Sequence, residues 1–430
     1  MKRVVRVLLA ALVLAVVAPA GTAWAHPIGA SAVYLTVRAD RVDVELAIPL
    51  DKLNQAAGQH LDGTAEAVAA ARPALTAWVL GGVRLTDAAA LPYQLAVTSL
   101  EPQEVNGTRA LDVRLSATPP SGHLDGDLQL DYSLVLNELP GHKAFVFLVS
   151  DLEAGQVGEG GPAPLGSLDA ANPHLSIERG TASAWTGFAA MVGLGAKHIA
   201  DGTDHLLFLI TLLLAAPLVA VGGRWAGRRP VRSALGRTLG IVTAFTTGHT
   251  TSLALVSFGL IQFPSTPVEV AVAGSILVAA IHALRPLTGR GEIVVGGVFG
   301  LVHGTAFATA ILDLGLDTRA TVIAVLGFNV GVELAQLVVV ALVLPVLLLL
   351  ATRSGYRWLR IGLASFSALA SVCWAVAVLT DTSTILQPLF DLITAHPLVS
   401  YLSFVAAAVA GWLATRPRPL VTDPSDGLAT

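Results

Sequence analysis

The chain has 430 residues, 54% hydrophobic and only 13% charged, against roughly 25% charged in an average soluble domain, which excludes a wholly soluble protein. The formal net charge of −4 is unevenly divided, with 19 acidic against 9 basic side chains over residues 26–180 and 11 against 14 over 181–430, so a basic nucleic-acid-binding face is excluded as well. Cys373 is the single cysteine, and an intramolecular disulfide is therefore impossible.

Lys2, Arg3 and Arg6, an apolar run from Val7 to Val17 and small residues ending Ala23-Trp24-Ala25 have the order of an export signal cleaved after Ala25. An uncleaved anchor is the alternative. After cleavage the chain would open on His26-Pro27, whose α-amine and ring can both reach a metal, unless signal processing merely leaves a histidine there.

Residues 26–180 read as one small extracytoplasmic β-sandwich. Val42, Val44, Leu46 and Ile48 alternate with Asp43 and Glu45, and comparable runs occur at Tyr93 to Thr98, Ala110 to Ser116 and Leu128 to Leu136. A helical insertion is expected around Thr64 to Ala71, and the Gly/Pro-rich stretch Gly155 to Gly166 marks a loop near the end of the domain.

Residues 181–414 read as an all-α transmembrane bundle of about seven helices, with spans near 186–221, 238–260, 268–284, 293–312, 320–350, 361–380 and 398–414. The first is too long for one straight helix. Arg224, Arg228, Arg229, Arg232 and Arg237 follow the first span, Arg285 and Arg290 the third, and Arg353, Arg357 and Arg360 the fifth. Arg416 and Arg418 lie in the tail, while Arg319 alone falls in the opposite loops. The positive-inside rule then predicts a multi-pass plasma-membrane protein with its N-terminal domain outside and the disordered tail 415–430 in the cytoplasm.

Ionised groups at mid-bilayer are costly, so the polar residues retained there need a partner or a purpose. The first span carries His198, Asp201, Asp204 and His205. At 100° per residue Asp201 lies about 60° and His205 about 20° from His198, one stripe of a helix. Asp204 either orients a histidine from behind or faces the lumen if Gly202 breaks the helix. His249, His303 and Glu333 lie near the middle of their spans, and the expectation is that they converge on one inward-facing site. Asn329, Glu333 and Gln336 share one helix face at i, i+4 and i+7. The second span adds Thr246, Thr247, Thr250, Thr251 and Ser252. Glu269, Ser275 and His282 sit in the third, where Glu269 and His282 suit an interfacial role as well as a pathway. Imidazole with carboxylate suits nickel, cobalt, zinc or iron(II), and the lack of a cysteine cluster argues against copper(I). Neutral imidazole binds metal and imidazolium does not.

His198-Ile-Ala-Asp-Gly202-Thr-Asp204-His205 resembles the signature of the HupE/UreJ family. Thr243-Ala-Phe-Thr-Thr-Gly-His249, Phe299-Gly-Leu-Val-His303-Gly-Thr-Ala-Phe-Ala and Gly327-Phe-Asn329-Val-Gly-Val-Glu333-Leu-Ala-Gln336 are similar to its later motifs, in order. The resemblance covers roughly residues 184–350. It implies a divalent-metal permease, with nickel or cobalt as substrate and zinc as a further option, whose ligands include His198, Asp204 and His205. It also implies a link to hydrogenase or urease maturation. Ile199 replaces a frequent proline, His282 stands where asparagine is frequent, and the exported domain fits a longer branch of the family. No GxxxxGK[ST] pattern occurs, which suits a secondary carrier. An intramembrane zinc hydrolase resembling the ceramidase-like enzymes, and a metal-sensing or assembly protein, are the alternative readings.

Overall fold

The computed structural model describes residues 29–417 except 106–107, 125, 158–160, 288–290 and 315. The export signal, its cleavage after Ala25, His26 and the tail beyond 417 lie outside the described residues. The chain forms two compact units, one drawn from Thr22–Met191 and Asp313–Ala324, the other from Val192–Leu312 and Val325–Thr430.

In the first unit the alternation of the sequence becomes strands. β1 (Ser31–Val37) and β2 (Val42–Pro49) bury every second residue. After α1 (Leu50–Ala57) and α2 (Ala65–Gly82) come β3 (Val83–Asp87), β4 (Gln94–Val105), β5 (Thr108–Thr118), β6 (Leu128–Tyr132), β7 (Ala144–Asp151), β8 (Gln156–Val157), β9 (Ala163–Leu168) and β10 (His174–Ile177). The larger sheet runs β4-β5-β2-β1-β7-β8, with β9 also on β7, and the smaller runs β10-β6-β3. β1 pairs antiparallel with β2 but parallel with β7, so the larger sheet is mixed. Side chains from both sheets and both helices fill one core, including Val44, Leu46, Leu75, Leu111, Leu130 and Tyr132.

Two expectations change here. The insertion expected at 64–71 is a helix running to Gly82. Thr64 caps it by accepting from the Ala67 N–H, and Val68, Leu75 and Val79 bury one face beyond Pro73. The strand expected through Leu136 ends at Tyr132, and Leu134, Val135 and Leu136, all buried, lie beyond it. A turn with Val135 at φ +67° places them inside instead.

The second unit is helical. α3 (Ala184–Asp201) and α4 (Thr203–Leu213) are separate helices that meet at Gly202. A hairpin of β11 (Leu218–Val221) and β12 (Arg224–Arg228) follows, where a helical span to 221 was expected. Gly222 and Gly223 both take positive φ, the backbone of a tight two-residue hairpin turn that helix cannot accommodate. Then come α5 (Val231–Ser257), α6 (Ser265–Leu284), α7 (Glu292–Asp313), α8 (Thr318–Leu350), α9 (Tyr356–Leu379), α10 (Gln387–Ala395) and α11 (Pro397–Ala414). Among the described residues five of these, α5, α6, α8, α9 and α11, are long and apolar enough to cross a membrane. Apolar side chains such as Leu334, Val338 and Leu369 remain more than half exposed, as lipid-facing surfaces are. Arg360, expected in a loop, is instead buried in α9 and donates to the carbonyls of Ala283 and Leu284 at the end of α6. A cation there offsets the negative helix terminus.

Small residues set how closely these helices pack. A Cβ on Gly248 of α5 would strike the Gly297 carbonyl of α7, one on Gly300 the Phe245 carbonyl, and one on Gly304 the His249 carbonyl. Gly195 of α3 and Gly331 of α8 meet the facing backbones of Phe328 and Val192 in the same way. Backbone thus lies against backbone in both pairs, the arrangement small residues permit between membrane helices.

Candidate metal centre

His198 projects from α3, Asp204 and His205 from the first turn of α4, His249 from α5 and His303 from α7. The α5–α7 contact brings His249 and His303 to either side of His205. Ring centroids of His205 lie 4.8 Å from His303, 6.4 Å from His249 and 4.7 Å from His198. Two sets of side chains offer ligand atoms within 4.8 Å of one another: His198, His205 and His249, and Asp204, His205 and His303. His205, His249 and His303 are buried.

Hydrogen bonding fixes which ring atoms are free. The Asn329 amide nitrogen donates to the Val325 carbonyl at 2.7 Å, so its oxygen faces His249 Nδ1 at 3.0 Å. That oxygen can only accept. His249 therefore carries its proton on Nδ1, and Nε2 keeps a bare lone pair. His249 Nε2 and His198 Nε2 are both buried without a hydrogen-bond partner among the described residues. A buried polar atom left so costs about 1–3 kcal/mol, and a cation would offset that.

His205 follows the same logic. Its Nδ1 lies 2.9 Å from Asp204 Oδ1 and donates to the carboxylate, which leaves Nε2 bare. Asp204 sits in the first turn of α4, where the helix N-terminus favours its negative charge. On the far side, Ser275 gives its proton to the Val272 carbonyl at 2.7 Å and so accepts from His303 Nε2 at 2.8 Å. His303 Nδ1 is then bare, and it faces His205 Nε2 at 3.4 Å. Two lone pairs pointed at each other repel unless a cation lies between them. The spacing suits one: two nitrogens on a tetrahedral ion with bonds of about 2.0–2.1 Å stand about 3.3–3.4 Å apart.

Phenylalanines wall the cluster. Phe307 lies 4.4 Å and Phe328 5.3 Å from the His198 ring, and Phe245 lies 5.2 Å and Phe208 5.3 Å from His303. They exclude water and strengthen the electrostatics inside.

The remaining candidates lie elsewhere. Asp201 is exposed and belongs to neither ligand set, because the helix stops at it; Gly202 redirects the chain, and Asp204 meets His205 instead. Glu333 is also outside both sets. Its partner is the Thr243 hydroxyl at 3.5 Å, and Asn329, one turn earlier on the same face, meets His249. Gln336 accepts from Thr246 at 3.3 Å. The hydroxyls of Thr247, Thr250 and Thr251 bond to carbonyls of their own helix. His282 pairs with Glu292, which also holds Arg237, and Glu269 lines a polar cleft with Thr203, Ser265 and Asp381. The sequence reading assigned no role to the phenylalanine wall or to the close glycine contacts. Gly296, Gly300 and Gly304, four apart on α7, were the available signal for the latter.

Residues 174–378 match the family model described as HupE / UreJ protein. No curated protein matches the chain.

Proposed function

The chain belongs to the HupE/UreJ family over residues 174–378, and from that premise we propose that it carries a divalent transition metal, nickel or cobalt, across the plasma membrane through the cluster around His205. One observation carries this reading: ring nitrogens from separate helices converge, and two of them, His198 Nε2 and His249 Nε2, are buried with nothing to bind among the described residues. A set meant only to tie helices together would be saturated by its own hydrogen bonds. Neutral imidazoles with one carboxylate suit nickel, cobalt or zinc.

In this reading α3 and α4 cross the membrane as one broken span. Together with α5, α6, α7, α8, α9 and α11 they make a bundle of seven, with the arginine-rich ends in the cytoplasm and the β unit outside. Thr246 with Gln336 continues the buried polar contacts along α5 and α8 beyond the imidazoles, which suits passage of an ion better than permanent storage. The metal would then serve maturation of nickel or cobalt enzymes in the cytoplasm.

Nickel and cobalt accumulation in whole cells tests this. His205→Ala and Asp204→Ala should bring accumulation to background while the protein stays in the membrane at its normal level. Unchanged accumulation would remove the assignment, and hydrolytic activity of the purified protein without accumulation would favour an intramembrane zinc hydrolase.

A further inference from the structure

The two ligand sets are not two independent sites. Each contains His205, and each adds a different pair to it, the imidazoles of His198 and His249 in one and Asp204 with His303 in the other. The five side chains are not within 4.8 Å of one another as a single group, so one ion does not draw on all of them in this arrangement. Resting on the carrier reading, we infer that the cluster holds one divalent ion at a time in either of two overlapping positions, with His205 as the ligand common to both.

Geometry and charge both point this way. The imidazole-only position has two nitrogens, His198 Nε2 and His249 Nε2, that are buried without partners among the described residues, so it is a position with ligand atoms already aimed. The second position has His205 Nε2 and His303 Nδ1 at 3.4 Å, with the Asp204 carboxylate in the same ligand set and 2.9 Å from His205 Nδ1. Asp204 is the one carboxylate in either set. Both positions draw on Nε2, the one bare nitrogen of His205, whose single lone pair cannot bind two ions at once, and two dications so close repel four times as strongly as two unit charges at the same distance. The positions therefore exclude each other. They also differ in chemistry: one offers nitrogen only, the other nitrogen and oxygen, and such a change of ligands alters the ligand field of a bound metal. An ion passing between them would keep one bond, to His205, while exchanging the rest, so it need never be without a ligand inside an apolar wall.

Cobalt(II) titrated into the purified full-length protein in detergent, followed by equilibrium dialysis and visible ligand-field absorption, tests this. The expected result is saturation at one cobalt per chain, with a spectrum of two components whose proportions change with temperature. His303→Ala should keep the component of the imidazole-only position, and His249→Ala the oxygen-containing one, each with affinity lowered by about tenfold. His205→Ala should lose both, with affinity down by more than about a hundredfold. Two cobalt ions per chain, or a single temperature-independent component in the unaltered protein, would overturn the inference and leave the carrier reading standing; neither measurement depends on a variant that folds. No cobalt bound by the unaltered protein would overturn this inference, and no nickel bound in the same dialysis would overturn the carrier reading with it.

Discussion

Two buried polar clusters, one in each unit, are completed in opposite ways. In the β unit Arg179 and Asp151 are almost wholly enclosed, and every contact is answered. The guanidinium meets the carboxylate through Nε at 2.5 Å and Nη2 at 3.1 Å, and Nη1 donates to the Leu124 carbonyl at 3.1 Å. Asp151 Oδ1 also accepts the Ala154 N–H at 3.0 Å. In the helical unit the buried Nε2 atoms of His198 and His249 have no hydrogen-bond partner among the described residues. A saturated buried pair specifies a fold, since it leaves nothing for a ligand to do. A buried set with bare nitrogens is tolerable chiefly where something else completes it.

The comparison is broken most directly by removing one member of the saturated pair. Asp151→Ala leaves Arg179 buried and alone, and should destabilise the β unit by about 3–5 kcal/mol, read as faster amide exchange in β7 and around Arg179 in the full-length protein. Cobalt binding by the helical unit should not change; if it falls in step, the distinction between structural and ligand-holding polar groups fails.

A substitution that only crowds the helices should act on metal first. Gly300→Ala places a Cβ against the Phe245 carbonyl, with an overpacking penalty of about 1–3 kcal/mol. By moving α5 from α7 it should lower cobalt affinity by about 10–100-fold in dialysis. Wild-type affinity in that variant would show that the close approach does not position His249 and His303.

Asn329→Ala sharpens the point further, because Asn329 is a member of neither ligand set and acts only through the His249 ring. It removes the oxygen that holds the proton on His249 Nδ1, so both tautomers become accessible and Nε2 is bare only part of the time. Cobalt affinity should fall by about tenfold with the protein still folded, and Asn329→Gln should not restore it unless the longer amide reaches the same ring nitrogen.

The smallest effect is expected from the β unit in acid. Burial, with help from the Lys52 charge and against that of Asp51, holds His142 below the ordinary histidine range. Its Nε2 accepts the Ser31 N–H at 3.2 Å. The unfolded chain takes up a proton near pH 6.5 and the folded one resists it, so this contribution to stability is full above about pH 6.5 and is lost as the pH falls towards the lowered value. Amide protection at β1, taken relative to the intrinsic exchange rate at each pH, should fall modestly between pH 7.5 and 5, and His142→Gln should flatten the dependence.

Much of this was legible in the sequence because it is periodic or costly. Alternation marked β2 and β5, and the price of polarity in a hydrophobic run singled out His198, His205, His249 and His303. Asp201 misled because helical angles were carried through a glycine that ends the helix. Glu333 drew attention as a carboxylate at depth, yet the group that meets His249 is the neutral Asn329, whose value lies in an oxygen it can aim rather than in charge. Ser275 was visible as a buried hydroxyl, but its part depends on a proton already given to Val272, which only the fold reveals. The parallel pairing of β1 with β7 joins residues more than a hundred apart, and no local pattern encodes that.

The break at Gly202 has a mechanical consequence. α3 and α4 are short rods joined through one residue, with φ −71° and ψ 93°, and a side chain there would collide with the His198 carbonyl and crowd His205 Nδ1 and Asp204 Oδ1. Bending about that joint requires rotation of two backbone bonds and no melting of helix. Because His198 stands on one rod while Asp204 and His205 stand on the other, such a bend would lengthen the reach of His198 to His205 and leave Asp204 beside His205. The joint at Gly202 thus sets the reach of His198 to His205, while the pairing of Asp204 with His205 belongs to α4 alone.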